Sequence, residues 1–170
     1  MKTTSLLLCL PLLLTSSGLP AQSPLQTQPG GFGVPAEGSK SLVPGVLPAA
    51  QAFALSAFVE ADTDIALLWE MPPAYYLYRK SLMLELADGS PLEDYILPNG
   101  VTVEDEFFGA SEVYFDRLLL RLPLNAVPRS AFVTNPDGAR TLELMVSYQG
   151  CAEEKYCYPP QHAPLTLELP

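Results

Sequence analysis

From residue 52 onward, apolar and polar residues alternate in short runs, and no long segment carries a helical period. The runs are "AFALSAFVE" (52–60), "DIALLWEM" (64–71), "YYLYRKSLMLEL" (75–86), "VTVEDEFF" (101–108), "EVYFDRLLLRLPL" (112–124), "RTLELMVSYQG" (140–150) and "PLTLELP" (164–170). Each predicts a strand, because side chains at i, i+2 and i+4 of an extended chain line one face. Period two puts Leu142, Leu144, Val146 and Tyr148 on one face of the sixth run, and Leu118, Leu120, Leu122 and Leu124 on one face of the fifth. "ADGSP", "LPNG" and "NPDG" are turns, since Gly and Asn accept positive φ and Pro presets φ at the turn start. About seven short strands at regular spacing predict an all-β, immunoglobulin-like antiparallel β-sandwich. Trp69 is the expected core anchor.

The N-terminal part breaks this pattern. "MKTTSLLLCLPLLLTSSGLPAQS" has a basic start at Lys2, a leucine-rich stretch and small residues up to Ala21, the layout of a secretory signal peptide over residues 1–21. Its apolar stretch is shorter than the roughly 20 residues that span a bilayer. Cys9 lies within it and is expected to be removed with it. Residues 22–48 are rich in Pro, Gly, Ser and Gln without periodicity, and predict a flexible leader. The folded domain is therefore expected over residues 49–170, exported and free of further membrane-spanning stretches.

Charge narrows the function classes. The chain carries 9 Lys+Arg against 19 Asp+Glu, a formal net charge of −10, which becomes −11 once Lys2 is lost with the signal peptide. An acidic chain without a basic cluster argues against nucleic acid and anionic membranes as partners.

Two cysteines remain in the expected mature chain, within "YQGCAEEKYCYPP" at residues 148–160. An exported chain favours their oxidation to a Cys151–Cys157 disulfide. Cys151 directly follows an alternating run, and Cys157 precedes Pro159 and Pro160, which cannot donate ladder hydrogen bonds. The pair is thus expected to bridge the two sides of one exposed turn. Closing so short a loop adds roughly 2.4 kcal/mol by the chain-entropy relation. A sandwich of this size builds an ordinary core without that help. Spacing alone leaves two readings open: a redox-active pair, or a structural staple in a non-catalytic binding or scaffold domain. A zinc site from Cys151, Cys157 and His162 has too few ligands and unsuitable spacing, and no metal or other dissociable cofactor is expected.

"VSYQGCAEEKYCYPP" resembles the active-site hairpin of the N-terminal periplasmic domain of the thiol:disulfide interchange protein DsbD. "LPAAQAF", "YYLYRKSL" and "EDEFFGASEVYFDRL" match other parts of that family's domain in the same order, so the resemblance covers about residues 47–169. It implies an immunoglobulin-like fold and a cysteine pair that cycles between disulfide and dithiol. Cys157 would form the mixed disulfide with partners and Cys151 would resolve it. Asp105, Glu106, Phe107, Phe108 and Gly109 would form a cap loop, with Phe107 over the cysteines, and Tyr76 and Tyr78 would line the site. Phe108 stands where a tyrosine is more familiar, which removes a phenol but keeps the apolar body.

Asp105, Glu106, Glu153 and Glu154 would disfavour a nearby thiolate, with Lys155 opposing. The plainer alternatives are a solvated acidic rim, core phenylalanines and strand-packing tyrosines. His162 is expected at the surface without a catalytic role. The family resemblance implies a periplasmic location. Electrons would come from a thioredoxin-like domain fed by a transmembrane domain. The recipients would be periplasmic disulfide isomerases and the thioredoxin-like proteins of cytochrome c maturation.

Overall fold

The computed structural model describes residues 32–33, 43–61 and 63–169. The predicted signal peptide, with Cys9, lies outside them. In chain order the strands are β1 (Phe32–Gly33), β2 (Ala54–Glu60), β3 (Asp64–Glu70), β4 (Tyr75–Tyr78), β5 (Met83–Leu86), β6 (Pro91–Leu92) and β7 (Val101–Asp105). There follow β8 (Gly109–Phe115), β9 (Arg117–Pro123), β10 (Phe132–Thr134), β11 (Arg140–Tyr148), β12 (Gly150–Ala152), β13 (Tyr156–Cys157) and β14 (Gln161–Leu169). A single helical turn, α1 (Ala49–Ala52), precedes β2.

All pairings are antiparallel, and they form the predicted sandwich. One sheet runs β1-β2-β3-β9. A second runs β10-β11-β5-β6, with β14 on the other side of β11, and a third runs β13-β12-β4-β8-β7. The second and third sheets are two halves of one layer. β5 pairs with β11 and β4 pairs with β12, so the segment β4–β5 runs antiparallel to β11–β12 along its length.

The layer breaks where a 3₁₀ turn, Arg79–Ser81, faces Gln149. The Ser81 hydroxyl repairs the gap in the ladder. It accepts the Gln149 N–H at 2.9 Å and donates to the Tyr78 carbonyl at 2.9 Å. Backbone groups left unpaired by the break are thereby satisfied inside the protein.

Alternation is obeyed on the inner faces. Ile65, Leu67 and Trp69 face Leu118, Leu120 and Leu122 in one sheet, and Leu142, Leu144, Val146 and Tyr148 cover them from the opposite layer, all within one core cluster. Trp69 is fully buried, with its ring edge against Tyr148 at a centroid distance of 5.8 Å. Residues ahead of Ala49 join this core: Val46 is buried, and the Leu47 backbone is held by the Tyr75 and Tyr158 hydroxyls at 2.9 and 2.6 Å. Burial, with Tyr75 and Tyr156 beside it, pushes the Tyr158 phenol well above its ordinary pKa, so it stays a donor.

Several expected runs are subdivided or cut short. The run at 112–124 is two strands in different sheets, β8 and β9, parted at Asp116, whose φ of 56° turns the chain through a corner. The run at 75–86 is split by the 3₁₀ turn. The run at 101–108 ends as a strand at Asp105, leaving both phenylalanines in a hairpin loop. A non-glycine residue in the left-handed region leaves no mark on hydrophobic alternation, so the corner was invisible to it.

Gly150 lets β12 lie against β4. A Cβ there would collide with the Tyr76 carbonyl and would sit 2.5 Å from the Phe53 ring. Gly150→Ala is expected to destabilise the domain by about 1–3 kcal/mol, the usual cost of overpacking, measured as a lowered denaturation midpoint with an unchanged m-value.

Candidate functional site: a disulfide on the outer face of the sheet

β12 and β13 form a short hairpin with Cys151 directly opposite Cys157, and the two are joined by a disulfide. The Tyr158 N–H bonds the Gly150 carbonyl at 3.0 Å, one position away. The cysteines therefore occupy a pair without mutual backbone hydrogen bonds, where opposed side chains come closest. The hairpin turns at Glu153–Lys155. The Lys155 N–H bonds the Ala152 carbonyl, and Glu154 takes a φ of 55°, the left-handed conformation required at the third position of a type II turn. The Glu153 N–H is tied to the Ala74 carbonyl at 2.8 Å, which pins the turn to the start of β4.

Register carries the cysteines' face across the sheet. Cys151 lies opposite Tyr76, and Tyr76 lies opposite Phe115. One step along, Tyr78 faces Val113. Tyr75 and Leu77, the alternate residues of β4, belong to the main core. The outer face thus carries a second, small apolar cluster of Tyr76, Tyr78, Val113 and Cys151, with Val103, Phe115 and Cys157 packed against it.

Within this cluster the two sulfurs differ. Cys151 is fully buried, while Cys157 is only partly so. The Tyr78 hydroxyl is 3.2 Å from Cys151 Sγ and 3.8 Å from Cys157 Sγ, and the Tyr76 hydroxyl lies 3.4 Å behind it. One phenol therefore touches both ends of the bond. It can donate a hydrogen bond to whichever sulfur carries negative charge when the bond opens.

The segment "DEFFG" is the tip of the β7–β8 hairpin. Asp105 pairs with Gly109, whose φ of 68° closes the loop of Glu106, Phe107 and Phe108. Phe107 and Phe108 are exposed, at 52% and 44%. The Phe108 ring stands edge-on to Tyr78 at 5.0 Å, so it covers the tyrosine that touches both sulfurs. Phe107 instead walls a cleft of about 290 Å³ with Tyr76, Val103, Phe115, Glu104, Glu106, Glu153 and Glu154. Glu106, Glu153 and Glu154 thus line one cleft with Tyr76 and Phe107, beside the cluster that holds the disulfide.

Glu104, Phe115 and Lys80 were not anticipated. Period two along "YYLYRK" already puts Lys80 on the face of Tyr76 and Tyr78, and the same period puts Phe115 with Val113. The two sulfurs are bonded to each other, and the exposed His162 has its Nδ1 2.8 Å from Ser147 Oγ, so the zinc combination is not assembled. Among the described residues, no group of three or more His, Cys, Asp or Glu is placed to hold a metal ion.

Known proteins converge on the same architecture. Residues 44–168 match the family model for the N-terminal part of the thiol:disulfide interchange protein DsbD. The chain belongs to the DsbD N-terminal domain family. It is 40% identical over 115 residues to DsbD of Escherichia coli K12, covering 68% of this chain and 18% of that protein. To DsbD of Yersinia pestis Pestoides F it is 34% identical over 167 residues, covering 98% of this chain and 24% of that protein. The chain therefore spans less than a quarter of the length of these relatives.

The reduced DsbD N-terminal domain of Neisseria meningitidis superposes with a TM-score of 0.56 at 27% identity, over 71% of this chain and 88% of that one. The same organism's DsbD N-terminal domain, solved in complex with the PilB N-terminal domain, gives 0.54 at 27% identity, over 72% and 87%.

Because the disulfide links residues already opposed in a ladder and closes a small loop, its reduction should cost only about 2 kcal/mol. The reduced domain is expected to stay folded and to melt cooperatively, as followed by circular dichroism with and without a phosphine reductant.

Proposed function

We propose that this domain is a thiol–disulfide exchange module that passes electron pairs to other proteins through Cys151 and Cys157. The observation that carries the reading is the asymmetry of the pair. One sulfur is reachable, its mate is fully buried, and one tyrosine hydroxyl touches both. Thiol–disulfide exchange requires in-line approach to one sulfur and stabilisation of the departing thiolate at the other. Membership of the DsbD N-terminal family supports the same chemistry, as does a relative solved in the reduced state.

In the reducing direction the Cys157 thiolate attacks one sulfur of a partner's disulfide. A mixed disulfide forms and the partner's other sulfur departs as a thiolate. Cys151, having lost its proton, then attacks Cys157 Sγ. The intramolecular disulfide closes and the second partner sulfur leaves. Two electrons pass to the partner, whose thiolates take up the two protons released by the module's thiols.

Recharging runs the sequence backwards. A donor thiolate attacks Cys157 Sγ, and Cys151 leaves as a thiolate beside the Tyr78 hydroxyl. The cysteine pair is itself the redox group, so the exchange needs no dissociable cofactor. Phe107 and Phe108 act as the cap that shields the dithiol between encounters, and the carboxylates of the two hairpin tips, Asp105 and Glu106 on one and Glu153 and Glu154 on the other, would disfavour a free thiolate.

The relative solved with a PilB N-terminal domain supports a protein partner for this module. By family resemblance the donor is a thioredoxin-like domain supplied by a transmembrane domain. The recipients are periplasmic disulfide isomerases and the thioredoxin-like proteins of cytochrome c maturation. Periplasmic export by the N-terminal segment fits this assignment. Among the described residues, no helix is long and apolar enough to cross a membrane.

Equilibration against glutathione or thioredoxin buffers tests the reading. A working pair should titrate near the thioredoxin range, around −270 mV or above, whereas a structural disulfide would resist reduction below about −300 mV. Cys151→Ala should accumulate a mixed disulfide with a thioredoxin-like partner, and Cys157→Ala should not. Equal trapping by both variants would reverse the assignment of the attacking sulfur.

A further inference from the structure

We propose that Lys80 is a positioning residue that holds the cap closed, its ammonium group seated on the ring of Phe108. The inference rests on the exchange reading above and adds to it what keeps the cap in place.

The geometry is a triangle of mutual contacts. Tyr78 is fully buried and touches both sulfurs, Phe108 stands edge-on to it at 5.0 Å, and Lys80 Nζ lies 4.1 Å from the Phe108 centroid and 5.5 Å from that of Tyr78. A cation within about 6 Å of a ring centroid is drawn to the negative face of the ring. The two partners come from elements that share no ladder with each other at this point. Lys80 sits in the 3₁₀ turn that interrupts the β4–β5 segment, and Phe108 sits at the tip of the β7–β8 hairpin.

The hairpin's ladder ends at the Asp105–Gly109 pair, and Phe108 belongs to the three-residue tip beyond it. Phenylalanine offers no hydroxyl with which to fix its ring. Tyr78 meets the ring at one side, and Lys80 sits over its face in the corner between the two rings. The 3₁₀ turn is itself anchored, by the Ser81 hydroxyl to Gln149 and by Arg79, whose guanidinium bonds the Pro98 carbonyl and the Tyr114 hydroxyl, each at 2.6 Å. The latch therefore hangs from a rigid point of the sheet break.

A contact of this class at a partly exposed site shifts an open–closed equilibrium by about two- to fivefold. Shielding can be read as the rate at which iodoacetamide alkylates the reduced protein. The full chain is used with Cys9→Ser, so that only Cys151 and Cys157 react. Rates are followed from pH 6 to about pH 9, below the range in which lysine ammonium groups lose their protons, and each profile is fitted for the thiol pKa and for the plateau rate of the fully ionised thiol, in which only access differs. Lys80→Met should raise the plateau rate about two- to fivefold. Lys80→Arg, which keeps the cation over the ring, should restore it. Phe108→Ala should accelerate at least as much, and adding Lys80→Met to it should contribute nothing more.

A purely electrostatic lysine would give the opposite sign. Its removal would raise the thiol pKa and slow the reaction below the plateau while leaving the plateau unchanged, and that result would overturn the latch. An accelerated Phe108→Ala with an unchanged Lys80→Met would also overturn it, leaving the capped exchange site intact. No acceleration from Phe108→Ala would remove the cap itself, and the latch with it.

Discussion

The ladder between β4 and β12 is the constraint on which the site depends. It sets Cys151 opposite Tyr76, and because side chains alternate across an extended strand, the same ladder commits Tyr75 and Leu77 to the core. The sheet is consequently two-faced. Its inner face is glued into a large hydrophobic interior, and its outer face has enough apolar surface to shelter a disulfide without entombing it. Close approach of the strands is permitted only because residue 150 lacks a side chain. A slip of β12 by one residue would turn the sulfurs inward, away from Tyr76 and Tyr78.

Stability and chemistry are thereby drawn from separate stocks of residues. The interior around Trp69, Leu120, Leu144 and Tyr148 needs nothing from the cysteines. The disulfide belongs to the smaller outer cluster, so it can be opened without disturbing the packing around Trp69. The ion pairs are peripheral to both. Arg121 with Glu60 and Arg79 with Glu112 are substantially exposed, and pairs of that kind contribute at most about 1 kcal/mol each.

Much of this was legible in the order of residues, for identifiable reasons. Strict alternation at 142–148 and 118–122 marked the inner faces, because burial on one side of a strand demands it. The prolines after Cys157 marked the end of pairing, and the short polar "AEEKY" between the cysteines marked the turn. The corner at Asp116 and the break at Arg79–Ser81 stayed hidden, since each depends on a local backbone conformation that the side-chain pattern does not encode. Phe107 and Phe108 stand side by side in the sequence, and only the folded hairpin separates their surroundings. Phe108 covers the tyrosine beside the sulfurs, and Phe107 walls the acidic cleft. Val46 escaped notice because a lone buried residue in a proline-rich leader has no periodic neighbours to announce it.

The acidic cleft lies between two hairpin tips that belong to opposite flanks of one sheet. With strand order β13-β12-β4-β8-β7, the cysteine hairpin and the phenylalanine hairpin are separated by β4. Their meeting is a seam lined by Tyr76, Phe107, Phe115 and four glutamates. A wedge driven into it would spread the two tips like the jaws of a clothes-peg, with β4 as the fulcrum, and every rung of the sheet would stay in place.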